Sequence, residues 1–172
     1  MNYSTIFTPT STAVAMPHVF NDGGRSNYFK GAKAGDCVPR AITIATGLDY
    51  KFVYDELNRL TKEYADKKGQ RTKVSRAINN KTHRRSVRNG TYDIVSKPFM
   101  ASLGWEWQPT MFIGSGCTVH VKADELPTNK GNLILRLSRH WTAVVSGELH
   151  DTYDCSRNGT RGVYGYFWKP VG

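Results

Sequence analysis

Apolar positions recur at helical spacing in the first half of the chain and at strand spacing in the second. Val38, Ala41, Ile42 and Ala45 stand at i, i+3, i+4 and i+7, which predicts an amphipathic helix. Asp36 occupies its N-cap position, and Pro39 falls in the first turn, where a missing N–H costs little. Gly47 ends it as a C′ residue. Val53, Leu57, Leu60 and Tyr64 mark a second helix capped by Asp49, and residues 92–103 read as a third. From Gly104-Trp105-Glu106-Trp107 onward the pattern breaks into short extended runs at 118–122, 132–138, 140–145, 148–153 and 162–168. Ser146-Gly147 and Asn158-Gly159 are hairpin turns between them. Helices followed by strands, with no internal repeat, predict an α+β fold with helices packed on an antiparallel sheet. Residues 1–20 read as a polar arm or edge segment, and 20–35, with four glycines, as an ordered loop running into the first helix.

The chain has 172 residues, the size of a single domain that buries its own core. No apolar run approaches the length of a membrane span. Charge changes the picture more. Lys and Arg total 24 against 14 acids, a formal net charge of +10, which favours anionic partners or surroundings. Nine of the basic residues fall in 67–89, a stretch without an acid. Residues 67–90 therefore read as a basic surface loop or insertion. It is a candidate contact for nucleic acid or another polyanion through phosphates, but it lacks interleaved aromatics on which bases would stack.

The three cysteines, Cys37, Cys117 and Cys155, are odd in number and widely spaced. That argues against a disulfide framework and for a reducing cytoplasm. Cys37 falls in the first turn of its predicted helix. Unpaired N–H groups and the helix dipole there lower a thiol pKa, and the Cys37 N–H faces any oxyanion formed at an attacked carbonyl. A thiol nucleophile needs a base. His18 lies in the polar arm and His83 in the basic block, and His120 and His150 sit in strands without an evident role. His140 opens a strand that a sheet would hold rigid. A two-residue turn in the following hairpin puts Asp151 on the face of His140. Asp154 shares that face only with an odd loop. Cys117-Thr-Val-His120, with His150 and Cys155, offers zinc-ligand residue types, but the spacing matches no common zinc pattern.

Gly35-Asp-Cys-Val-Pro-Arg-Ala-Ile at a helix start, Ser138-Arg-His-Trp-Thr-Ala-Val-Val on a strand and His150-Asp-Thr-Tyr-Asp after the next turn together resemble the core of the papain-like cysteine peptidase superfamily. The likeness is nearest to small, poorly characterised proteins of tailed phages and prophages, and covers residues 20–168. The order Cys, His, Asp is that of papain-like enzymes and not of chymotrypsin-like or caspase-like ones. The resemblance implies Cys37 as nucleophile, His140 as base and then acid, and Asp151 as orienter, with Asp154 the alternative third member. It implies no cofactor. It also implies a protein or peptide substrate, possible examples being bacterial host proteins met in the host cytoplasm. An inactive papain-like binding protein and a nucleic-acid binder using the basic block are the rival expectations. Family members carry a Gln about six residues before the cysteine as second oxyanion donor. Here that place is Gly31, with Asn27, Lys30 and Lys33 as the nearby donors.

Overall fold

Four α-helices pack on one face of a six-stranded mixed sheet in a computed structural model that describes residues 15–31, 34–67, 72–79 and 86–171. The helices are α1 (Cys37–Thr46), α2 (Tyr50–Asp66), α3 (Lys73–Asn79) and α4 (Asp93–Ser102). The strands are β1 (His18–Phe20), β2 (Glu106–Pro109), β3 (Leu133–Leu137), β4 (His140–Val145), β5 (Glu148–Asp151) and β6 (Val163–Trp168). Their order across the sheet is β1-β5-β4-β3-β6-β2. All neighbours are antiparallel except β1, which runs parallel to β5. The α+β class is therefore right, and the purely antiparallel sheet is corrected to a mixed one. The polar arm supplies the odd strand: residues 18–20 lie at the sheet edge, while 1–14 fall outside the described residues.

The hydrophobic pattern sorts the sheet into two faces. Ile134 pairs with Ala143 on one side and with Phe167 on the other, and these three meet Val38, Ala41, Ile42, Val53 and Leu57 from the helices. Leu133, Leu135, Val144 and Leu149 point the other way, onto Met16, Val121 and Leu126. A sheet covered on both faces explains why β4 is buried for nearly its whole length instead of alternating. Burying each such side chain stabilises the fold by roughly 1.5–3 kcal/mol. Gly165 is required by close approach: a Cβ there would lie 2.3 Å from Trp107 Cζ2.

Local signals held in most places. Asp49 accepts the Phe52 N–H at 2.9 Å and caps α2. Gly47 closes α1 in the left-handed region at φ 74°. Ser146 and Gly147, at φ 52° and 81°, form the primed turn that suits a tight hairpin. Three expectations need correction. Asp36 stands at the N-cap of α1 without capping it, because two arginines and a tyrosine claim its carboxylate. Residues 118–122 form no strand, only a bridge from His120 to Gly162 and one from Ala15 to Lys122; the Glu125 carboxylate takes the His120 N–H at 2.6 Å instead of a ladder partner. The basic segment 67–90 is not a plain loop. It contains α3, whose Ile78 is buried and which packs on α2. Residues 68–71 and 80–85 lie outside the described residues.

Candidate active site

The loop 20–35 is held by one buried arginine. Arg25 Nε donates to Asp36 Oδ2 at 2.6 Å, and its Nη1 donates to the Gly31 carbonyl at 2.7 Å. The Tyr50 hydroxyl donates to the same Asp36 oxygen at 2.6 Å, and Arg40 Nε lies 3.3 Å from the other. Burial, then the Asp36 carboxylate, push the Tyr50 hydroxyl far above its ordinary range, so it stays a donor. This cluster fixes the residue immediately before Cys37. The Asn132 amide holds the far end of α1 by donating to the Ala45 carbonyl at 2.9 Å. Cys37 itself is half-buried at N1, where the helix leaves its first N–H groups unpaired.

His140 opens β4 after Arg139, which turns the chain at φ 56°. Asp151 ends β5. The register Val144↔Leu149 puts it on the face of His140, two strand positions beyond. His140 Nε2 lies 2.6 Å from Asp151 Oδ2, and both side chains are buried. Asp151 Oδ1 accepts the Thr152 N–H at 2.7 Å. With Nε2 engaged, Nδ1 is the nitrogen left for the Cys37 thiol, with which His140 also interacts. Tyr153 covers the imidazole, with ring centroids 5.4 Å apart at 49°.

The electrostatics follow from these neighbours. Burial pushes the Cys37 thiol up, but the His140 imidazolium, the Trp141 N–H and Arg40 outweigh it, and the thiol pKa falls. Burial opposes charge on His140 too. Hydrogen bonds to Asp151, Cys155 and Cys37 overcome it and push the imidazole up to about 12. Burial works against the Asp151 carboxylate as well, and the His140 contact, the Thr152 N–H and Thr142 nevertheless hold it below its ordinary value. The three side chains form a thiol–imidazole–carboxylate chain in which each neighbour favours the charged form of the next.

The structure thus brings Cys37, His140 and Asp151 together and leaves Asp154 out. Asp154 is exposed and accepts the Ser156 N–H at 2.8 Å, which is turn chemistry. The four residues with zinc-ligand side chains do not converge. Cys117 is exposed and donates to the Val119 carbonyl, His120 meets Glu125, and His150 meets the Asn21 amide. Cys155 is buried elsewhere, with its sulfur in a group with His140 and Asp151 whose ligand atoms lie within 4.8 Å of one another. That group has the right atoms for a metal. Its 2.6 Å His–Asp separation is nonetheless a hydrogen bond, shorter than the ~3.3 Å between two ligand atoms around a tetrahedral zinc. Asn27 and Lys30 are exposed, Gly31 offers its carbonyl to Arg25, and Lys33 lies outside the described residues.

A cleft of about 430 Å³ opens beside the thiol, lined among others by Gly35, Cys37, Thr91, Arg136, Arg139 and Trp141. Thr91, to which the sequence pattern assigns no role, also lines this cleft. Its hydroxyl is buried with no hydrogen-bond partner among the described residues. A polar side chain after a turn, two residues before α4, was the one available signal. Tyr153 and Cys155 were missed as neighbours of His140, since only the fold of the 151–156 segment brings them there. No family profile, curated protein or solved structure matches the chain. The geometry therefore carries the functional reading. Among the described residues no helix is long and apolar enough to cross a membrane.

Proposed function

We propose that this chain is a cysteine hydrolase of papain-like architecture, acting at a peptide, isopeptide or other amide acyl bond. The observation that carries the reading is the buried 2.6 Å His140–Asp151 pair directed at a thiol in the first turn of a helix. Cys37 attacks the carbonyl carbon as thiolate, and the carbonyl electrons move to oxygen. The Cys37 N–H and the unpartnered Thr91 hydroxyl are the donors we assign to that oxyanion. As the C–N bond breaks, the His140 imidazolium protonates the leaving amine and a thioester remains. His140, now neutral, takes a proton from water. The hydroxyl adds to the thioester, and the carboxylic acid leaves as the thiol is regenerated. Asp151 holds the imidazole in the tautomer that leaves Nδ1 toward sulfur and stabilises its charged form. None of these steps draws on a cofactor.

The test is site-resolved alkylation of Cys37 by iodoacetamide across pH, followed by mass spectrometry, with Cys117 and Cys155 as internal references. Labelling of Cys37 should persist well below pH 8 and slow markedly in His140→Ala, because the thiolate loses its counter-charge. Slow labelling at Cys117-like rates, unchanged in the variant, would reject the reading in favour of a binding protein.

A further inference from the structure

Arg139 lines the cleft beside Cys37 and also lines a second hollow of about 550 Å³, bordered by Arg157, Arg161, Ser138, Thr160 and Tyr164. Three guanidinium groups border this hollow, and no acidic residue lines it among the described residues. Four arginines elsewhere are matched: Arg25 and Arg40 face Asp36, Arg59 faces Glu56 and Glu63, and Arg136 faces Asp93. Arg161 is aimed by backbone instead. Its Nη2 donates to the Ser138 carbonyl at 2.9 Å and its Nη1 to the Cys155 carbonyl at 3.3 Å. Carbonyls orient a guanidinium without cancelling its charge. Arg139 and Arg157 have no ion-pair partner among the described residues. Three like charges around one concavity repel one another until an anion enters, and charge-assisted hydrogen bonds then replace that repulsion.

We propose that this hollow is an anion-binding subsite that receives an acidic segment of a polypeptide substrate whose acyl carbon lies at Cys37. This rests on the reading of Cys37 as an acyl-transfer nucleophile. Two observations favour polypeptide over nucleic acid. The hollow shares Arg139 with the thiol cleft, and its volume suits one or two side chains rather than a strand. Its aromatic, Tyr164, also carries the Arg136 guanidinium 5.4 Å from its ring centroid, which occupies a face on which a base would stack.

The test is fluorescence anisotropy of a fluorescein-labelled hexaglutamate peptide at low salt, on the full chain carrying Cys37→Ser so that nothing is turned over. Adding Arg139→Gln and Arg157→Gln should weaken binding about tenfold or more, since two charge-assisted contacts are lost. Removing two charges from α2 by Lys51→Gln and Lys62→Gln should change it less than about twofold. Equal weakening by the α2 pair, or no binding of the peptide, would overturn the subsite. A six-residue thymidine strand that competes equally well with the same arginine dependence would overturn the choice of polypeptide. The assay needs no reactive thiol. If Cys37 alkylates slowly while arginine-dependent binding persists, the hydrolase reading falls and the hollow stands as a peptide-docking site. Rapid alkylation without peptide binding rejects the hollow alone.

Discussion

The partition of roles between Asp151 and Asp154 is decided by one carboxylate's surroundings. Asp151 is buried against His140, whereas Asp154 caps a solvent-facing turn. Asp151→Asn should therefore cut Cys37 alkylation at pH 6 by about tenfold or more, since removing an adjacent opposite charge moves a pKa by about 1–3 units. Asp154→Asn should leave the rate unchanged in the same mass-spectrometric assay. Stability carries the same signature with opposite signs for the two partners. The folded-state pKa of Asp151 is depressed, so its contribution is full above the unfolded value of about 3.9 and is lost as pH falls through the folded value. His140 is raised from 6.5 to about 12, so its contribution is full below about 6.5 and drains away as pH rises toward 12. Urea unfolding of wild type and Asp151→Asn should show the stability gap between them closing under acid. The gap between wild type and His140→Ala should narrow steadily above pH 6.5.

Helix α1 is positioned by a carboxylate that the sequence pattern assigned to capping. Asp36 instead joins Arg25, Arg40 and Tyr50 in a buried cluster, tying the glycine-rich loop, the helix that carries Cys37 and α2 together. Replacing it leaves two arginines buried without their counter-charge. Asp36→Ala should cost about 3–5 kcal/mol, far more than the ~1 kcal/mol of a lost cap. That corresponds to a fall in melting temperature of roughly 6–20 °C for a chain of this size, read by circular dichroism. A fall of only a degree or two would return Asp36 to an ordinary capping role. The missed α3 has the same lesson at element scale. Val74, Ala77 and Ile78 form a helical stripe, but the surrounding lysines and arginines masked it as a charged loop. The lost strand at 118–122 is the converse case, where a side-chain carboxylate displaced a ladder bond that periodicity had promised.

At the scale of the molecule, the candidate site belongs to no single element. Cys37 arrives on α1, His140 on β4 and Asp151 on β5, and α1 is seated on β4 by Val38, Ala41 and Ile42 against Trp141 and Ala143. The lowered thiol pKa is thus a property of the packed sheet and helix. Across a urea transition at pH 6, Cys37 labelling should slow as its imidazolium partner is lost, while Cys155, buried in the native state, should label faster. Both changes should have the midpoint seen by tryptophan fluorescence. Acceleration of both cysteines together would mean that Cys37 gains nothing from the fold.

Where information is local, it was legible in the chain. Helical spacing marked α1 and α2, the Asp49 cap and the Gly47 terminus followed from backbone preferences, and Ser146-Gly147 set the hairpin parity that puts Asp151 and not Asp154 beside His140. A two-residue turn and the period of a strand suffice for that inference. What the chain alone did not determine depends on contacts between distant segments. The parallel edge strand β1, the burial of Asp36 among arginines from two elements, the Thr91 hydroxyl in the cleft and the three arginines around one hollow all join residues far apart in sequence. No periodicity encodes such meetings, because they follow from how the faces of the sheet are covered and which loops are left to close over its end.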